Sequence, residues 1–218
     1  MIKHLWVWTL KEDVNNLICF CRKEGISRVF LSNKDANMVK AIQDAGIGCD
    51  FLLGLAYPFN ANDIFNECKK AQKCGFDSMH LDLEGPDVND VNNQMKLAIN
   101  NLKLILGEQS DVDIQCGKTS DGYFEAINKC NAAYLMNYRQ SAFGMYLFAK
   151  NCLSKIRIPF YIGFETGSGD GIDNISYGKL GKKALNKQIF WADLIFSLLY
   201  KNYKGVAIHY YETYSKLN

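Results

Sequence analysis

Residues 28–55 read RVFLSNKDANMVKAIQDAGIGCDFLLGL, and the pattern of their apolar residues points to the fold of the whole chain. An apolar run at Arg28–Ser32 and a second one at Cys49–Leu55 have the composition of short β-strands. Between them, Met38–Asp44 has the spacing of a helix, and Gly46 follows as a stop signal. Two strands separated by a helix and joined by short connections predict a right-handed parallel crossover.

The same alternation continues along almost the entire chain. The predicted strands are Leu5–Trp8, Arg28–Ser32, Cys49–Leu55, Ser78–Leu83, Asp113–Cys116, Ala133–Tyr138, Phe160–Phe164 and Gly205–Tyr210. The predicted helices are Val14–Lys23, Met38–Asp44, Asp63–Lys73, Met95–Leu106, Ala142–Ile156 and Lys183–Tyr200. This order predicts an α/β protein, a single (β/α)₈ TIM barrel with short loops that spans residues 1–218. A dinucleotide-binding sheet is disfavoured, because no GxGxxG follows the first strand.

Composition excludes several classes of function. Hydrophobic residues make up 48% of the 218 residues, and the net charge is only +2. Without a basic stripe, nucleic acid is not an expected partner. No apolar run reaches about 18 residues, so we expect no transmembrane helix and no membrane partner. The opening MIKHLWVWTL is better explained as a strand than as a signal peptide.

The eight cysteines are scattered singly, with no CxxC pair. Several fall on apolar faces of predicted helices, where a thiol behaves as a small buried hydrophobe. This usage favours a reducing compartment over a disulfide framework, so we expect a cytoplasmic protein. The spacing does not suit zinc, and we expect no cofactor.

Chemistry in a barrel lies at the C-terminal ends of its strands and in the loops that follow. Carboxylates and aromatic rings are concentrated at these predicted ends. The candidate residues there are Trp6, Trp8, Tyr57, His80, Asp82, Glu84, Gln115, Asn137, Tyr138, Arg139, Glu165, His209, Tyr211 and Glu212.

The fourth predicted strand carries the sharpest signal. His80, Asp82 and Glu84 alternate along it, so we expect all three side chains to point into the barrel. Two inward carboxylates two residues apart repel each other, which raises the proton affinity of one while the other stays ionised. An acid/base pair needs this difference. The structural alternative is a buried ion pair with Arg139 or His209.

Residues 76–86, FDSMHLDLEGP, resemble the strand-four signature DGxDxDxE of the family 18 (chitinase-like) glycoside hydrolases. Asp77, Asp82 and Glu84 match its first and last two acidic positions, whereas His80 replaces its middle Asp and Ser78 its Gly. The resemblance implies that Glu84 is the general acid and that Asp82 orients the N-acetyl group of the substrate.

A second segment of the chain resembles the same family. Leu135–Tyr138 is similar to its strand-six MxYD, with Arg139 in place of the Asp, and the likeness implies that Tyr138 donates a hydroxyl hydrogen bond. The chain also resembles bacterial barrel proteins described only as glycosyl hydrolases. They share the Glu-Thr after strand seven and a strand eight ending in His, here His209.

Glu84 follows predicted strand four and Glu165 follows predicted strand seven. This placement resembles that of the two catalytic carboxylates in the large clan of retaining barrel glycosidases. The likeness implies that Glu84 is acid/base and Glu165 nucleophile. Carboxyl groups about 5 Å apart would indicate retention, and about 6.5–9.5 Å inversion.

The aromatic residues favour a sugar as ligand, because their flat faces suit the C–H groups of a sugar ring. The predicted substrate-binding residues are Trp8, Tyr57, Gln115, Asn137, Tyr138, His209 and Tyr211, whereas core packing is favoured for Trp6. For His209 three roles stay open: a structural histidine, an orienting partner of Glu165 or Glu212, or a metal ligand.

The sequence therefore predicts a glycoside hydrolase with Glu84, Asp82 and Glu165 as catalytic residues, acting on a small-molecule or oligosaccharide ligand. One alternative is a barrel that binds a carbohydrate or another ligand without turnover. The replacements in the family motif at His80 and Arg139 favour this alternative. The other is a metal-dependent hydrolase that uses Asp82, Glu84, Glu165 and His209.

Overall fold

A computed structural model describes residues 1–56, 58–84, 93–94, 97, 110–114 and 121–218 of the chain. Its strands are β1 (Ile2–Val7), β2 (Arg28–Leu31), β3 (Gly48–Ala56), β4 (Met79–Glu84), β5 (Ser110–Ile114), β6 (Ala132–Leu135), β7 (Phe160–Glu165) and β8 (Tyr203–His209). All eight are parallel and pair in chain order, and β8 pairs back with β1. The predicted barrel is confirmed, and each predicted strand overlaps one of these eight.

The described helices surround the barrel. They are α1 (Val14–Glu24), α2 (Ala36–Asp44), α3 (Ala61–Gln72), α4 (Asp121–Ile127), α5 (Ala142–Leu153), α6 (Gly181–Leu199) and α7 (Tyr211–Tyr214). Helices α4 and α7 are too short to give a clear periodic pattern, and the sequence did not predict them. The predicted helix Met95–Leu106 lies outside the described residues apart from Leu97. None of the described helices has the length and apolar character needed to span a membrane.

Local signals explain why residues 28–55 fold as a strand, a helix and a strand. The Asp35 side chain caps α2 by accepting hydrogen bonds from two backbone N–H groups of its first turn. Val39 and Ile42 are fully buried on the face that packs against the barrel. Gly46, with φ +78°, then adopts the left-handed conformation that turns the chain into β3.

Alternation along the strands separates two cores. One set of side chains packs outward against the helices and forms the larger apolar cluster. The other set fills the barrel interior, and its apolar members are Trp6, Phe30, Leu52, Ala132, Tyr134, Tyr161 and Ala207. The interior is therefore packed with large rings and is not an open channel.

Two histidines lie among these interior rings. His80 is fully buried, stacks on Phe30 with ring centroids 3.7 Å apart, and accepts a 3.0 Å hydrogen bond from the Trp6 indole N–H. His4 lies nearer the N-terminal end of the barrel, with its Nδ1 2.9 Å from the Tyr134 hydroxyl. The structure thus places His80 inside the barrel and Trp6 in its core, as the sequence predicts.

Burial of His4 makes the free energy of unfolding depend on pH. Removal from water, assisted by the Arg28 charge, lowers the pKa of His4 from 6.5 to about 3. Between these values the unfolded chain binds a proton that the folded chain does not. Stability is therefore fully present above the unfolded pKa and is lost as the pH falls from about 6.5 towards 3.

We expect His4→Asn to flatten this acid dependence. One linked proton contributes a slope of about 1.4 kcal/mol per pH unit, so the wild-type free energy of unfolding should fall more steeply than that of the variant below about pH 6. Urea unfolding at a series of pH values measures both slopes. Equal slopes would contradict a neutral His4 in the folded protein.

Candidate functional site

Three residues at the C-terminal rim of the barrel form a hydrogen-bonded chain. The His209 ring lies with Nδ1 2.6 Å from Glu165 Oε2, and its Nε2 accepts a 2.8 Å hydrogen bond from the Trp8 indole N–H. An indole nitrogen can only donate. Nε2 of His209 therefore carries no proton, and its Nδ1–H donates to the Glu165 carboxylate. Of the three roles that the sequence left open, the geometry supports orientation by Glu165.

The ends of β7 and β8 hold this chain in place. Glu165 and His209 are the last residues of the two strands and are partners in the parallel register. The second Glu165 oxygen, Oε1, accepts a 2.6 Å hydrogen bond from the Gly167 N–H. A Cβ at Gly167 would lie 2.9 Å from that oxygen, so the close approach needs glycine. Both oxygens of Glu165 are thus engaged, and the residue is 5% exposed.

Trp8 covers the barrel interior at this end. Its ring extends from His209 on β8 to β3, where a Cβ at Gly54 would lie 2.6 Å from two ring carbons. Gly54 therefore leaves the space that the indole occupies. The parallel register places Asp82 of β4 beside Gly54. The half-buried indole separates the packed interior from the rim.

A cleft of about 470 Å³ opens above this rim between the ends of β1 and β8. It is lined by Trp8, Thr9, Lys11, Tyr210, Glu212 and Lys216. One oxygen of Glu212 accepts a 2.6 Å hydrogen bond from the Thr9 N–H, which fixes the carboxylate at the wall. Two aromatic side chains with charged groups beside them give the cleft both flat faces and polar contacts.

The sequence did not select Tyr210. It placed the aromatic contact at the next residue, Tyr211, whose ring is 3% exposed and whose hydroxyl donates to Glu12 at 3.4 Å. β8 ends at His209, and the change from strand to helix α7 turns Tyr210 into the cleft and Tyr211 into the core. The predicted strand ends one residue later than β8 does, at Tyr210, so strand alternation could not show which of the two tyrosines faces the cleft.

Among the other predicted substrate-binding residues, one lies at the rim, one is buried in the core and two lie outside the described residues. Tyr138 lies parallel to the His209 ring with centroids 6.0 Å apart, so it belongs to the rim cluster. Asn137 is fully buried and donates to the Met145 carbonyl at 3.1 Å, which engages its amide in the core. Tyr57 and Gln115 lie outside the described residues.

The strand-four carboxylates are described in part. Asp82 is 9% exposed inside the barrel, as the alternation predicts. Glu84 is the last residue of β4, in register with Ala56, but its side chain lies outside the described part of the structure. Arg139 lies over the Phe148 ring, 3.8 Å from its centroid, and donates to the Tyr138 carbonyl at 2.6 Å.

The described part of the chain does not support the metal site of the metal-dependent alternative. Within it, no group of three or more His, Cys, Asp and Glu side chains lies close enough to hold a metal ion. The metal-dependent alternative also invoked Glu84, whose side chain lies outside this search.

Comparisons with known proteins find similarity in structure but not in sequence. No protein-family model and no curated protein matches the sequence. In structure, the chain is similar to the xylanase–α-amylase inhibitor protein XAIP-I, solved in complex with trehalose. The TM-score is 0.71 at 11% identity, over 99% of this chain and 94% of that one.

Two carbohydrate-active enzymes are also similar in structure. The GH18 chitinase ChiB of Flavobacterium johnsoniae gives a TM-score of 0.64 at 12% identity, over 96% of this chain and 87% of that one. An active-site mutant of the Rhizomucor miehei β-1,3-glucanosyltransferase, in complex with laminaritriose, gives 0.64 at 10% identity, over 95% and 86%. The chain therefore has a TIM-barrel fold, which it shares with a family 18 chitinase among other proteins.

The contact between Trp8 and Gly54 leads to a testable expectation. Gly54→Ala places a methyl group against the indole and should lower the free energy of unfolding by about 1–3 kcal/mol. In a Trp8→Leu background the same change should cost much less, because the ring is gone. Chemical denaturation of the four proteins measures this coupling.

Gly48→Ala on the same strand is the matched control. Its Cβ would meet the guanidinium of Arg28, which pairs with the buried Asp50, and no atom of Trp8, so its cost should be independent of Trp8. An equal cost of Gly54→Ala with and without Trp8 would contradict the position of the indole.

Proposed function

We propose that the protein hydrolyses a glycosidic bond at the C-terminal rim of the barrel, with Glu84 as general acid/base and Asp82 as the carboxylate that tunes it. The observation that carries this proposal is the position of Asp82. It is buried inside the barrel at the rim end of β4, beside the glycine that the Trp8 ring covers, and two residues before Glu84.

Asp82 has two effects in this mechanism. An ionised carboxylate there disfavours ionisation of a second carboxyl group two residues along the strand, so Glu84 can hold a proton for the leaving oxygen. Asp82 then stabilises the positive charge that develops on the sugar ring, and a water molecule attacks the anomeric carbon and transfers its proton to Glu84, which has given its own to the leaving oxygen. The proposal requires Glu84 to share the strand parity of His80 and Asp82.

Glu165 has a different role in the proposal from the nucleophile expected from the sequence. Both of its oxygens accept hydrogen bonds within the protein, and it is 5% exposed. Attack on a sugar carbon would require it to leave His209 and the Gly167 N–H. We therefore assign Glu165 as a positioning residue that orients His209 and, through it, Trp8.

The sugar would lie on the aromatic side chains of the cleft. Trp8 and Tyr210 offer ring faces for sugar C–H groups, and Tyr138 and His209 adjoin them. Similar structures hold trehalose and laminaritriose, which supports a carbohydrate in this class of barrel. A cleft that opens at the rim between the ends of β1 and β8 would admit part of a longer chain.

A second candidate is a barrel that binds a sugar without turnover. Glu165 and Glu212, the described carboxylates nearest the cleft, each accept a hydrogen bond from a backbone N–H group. Each bond fixes its carboxylate at the rim, which suits a polar contact to a bound ligand. This candidate leaves Glu84 without a catalytic role.

Glu84→Gln separates the two candidates. If Glu84 is the acid, release of nitrophenol or reducing ends from a panel of glycosides and polysaccharides should fall about 10²–10⁴-fold, while binding of the same sugar persists. Asp82→Asn should reduce turnover by a similar factor. Glu125→Gln on α4 is the matched control and should retain wild-type turnover, because Glu125 lies outside the cleft.

The remaining outcomes are equally informative. Saturable sugar binding by the wild type, lost in Trp8→Ala and without turnover on any substrate, would identify the binding barrel. Turnover unaffected by Glu84→Gln would refute Glu84 as the acid. A wild-type protein that neither binds nor cleaves carbohydrate would overturn both candidates.

A further inference from the structure

Helices α5 and α6 expose apolar side chains on the outside of the barrel, and none of these residues lines the cleft. Six side chains form it, which we call the apolar face: Phe143, Leu147, Phe190, Trp191, Leu194 and Leu198. Their exposed fractions run from 42% for Leu194 to 76% for Leu198. The two helices pack side by side, joined by a hydrogen bond from the Ala142 N–H to Gln188 Oε1 and by ring contact of Tyr146 with Phe196.

Helix α6 is apolar on two opposite sides. Leu185, Ile189, Ala192 and Phe196 follow each other at helical spacing and are buried against the barrel. On the other side, Phe190, Leu194 and Leu198 repeat every four residues and are exposed. A surface helix of a globular protein keeps its outer side polar, whereas a helix that is apolar all round is normally buried.

The apolar face is large enough to form an interface. With about 200 Å² for a large apolar side chain, its exposed fractions leave on the order of 600 Å² uncovered. The largest patch on a typical monomer is about 300–600 Å², and each partner of a standard interface buries about 800 Å². Six side chains plus a polar rim reach that size.

We propose that a second copy of this chain covers the apolar face, with α6 of one copy antiparallel to α6 of the other. Such a contact is isologous, because the same patch serves both copies about a two-fold axis. Helix α6 is about 28 Å long at 1.5 Å per residue, which lets the two helices cross at their centres near Trp191 and Leu194.

The charges on α6 favour the second copy as occupant. Its first turn contains no acidic residue and its last turn no basic one, although the helix dipole favours the opposite arrangement. Lys183 and Lys187 lie towards the N-terminal end and are exposed. Antiparallel pairing brings Lys187 beside the last turn of the other α6, where its positive charge is favourable. Each copy would thus place a lysine beside the negative end of the helix dipole of the other copy.

Sedimentation velocity of the full chain from about 1 to about 100 µM tests the proposal. The wild type should sediment as a dimer of twice the 24.7 kDa chain mass at the upper concentrations. Leu194→Lys should raise the dimer dissociation constant at least tenfold, and Lys187→Glu should raise it without removing apolar area. Ile2→Lys, at an exposed apolar residue outside the apolar face, should leave it unchanged.

Several outcomes would overturn the proposal. One is a wild type that stays monomeric throughout, and another is a dimer that Leu194→Lys does not weaken. A monomer that pellets with anionic lipid vesicles would identify a membrane surface as the occupant instead. Circular dichroism and thermal melts of each variant separate loss of association from loss of folding, which is not expected at these exposed positions. Neither result depends on whether the cleft cleaves a sugar.

Discussion

Two indole N–H groups, one on β1 and one just past its end, each donate a hydrogen bond to a histidine on another strand. Trp6 donates to His80 on β4, and Trp8, just past the end of the strand, donates to His209 on β8. A buried indole needs an acceptor, and a histidine nitrogen without a proton supplies one inside a packed barrel. The first bond connects β1 with β4, which is not its neighbour, and the second connects the end of β1 with the neighbouring β8. Together they hold the Trp6 ring inside the barrel and the Trp8 ring at its rim.

The two ring positions determine where chemistry can occur. Below Trp8, the interior is filled by Trp6, Phe30, His80 and Tyr134, which stack or meet edge to face and leave no room for a substrate. Above it, groups can meet solvent and a ligand. Because His209 accepts from Trp8 and donates to Glu165, one carboxylate of the rim serves to orient rings. In the proposed mechanism, the acid/base work therefore falls to the strand-four carboxylates.

Sequence reasoning reached the barrel because its signals are local. Apolar runs, helical spacing and stops such as Gly46 lie within a few residues of one another, and so does the alternation that predicts His80 and Asp82 inside. The contacts between Trp8, His209 and Gly54 join residues far apart in the chain, and only the closed register brings them together. Asn137 and Tyr211 lie just beyond strand ends, where alternation no longer applies, and both are buried, so their contact with a substrate stays a prediction.

His80 stands where the family 18 motif has an Asp, and its position below the rim shows what this difference means for chemistry. A lost acidic group would count against glycosidase chemistry if it lay at the rim. His80 is fully buried beneath the rim, and its contacts there are an accepted hydrogen bond from Trp6 and a stack on Phe30. What this position requires is an acceptor for a buried indole, and histidine meets that need while its ring adds packing area. The replacement therefore belongs to the interior packing, and the two motif carboxylates nearest the rim, Asp82 and Glu84, are both retained.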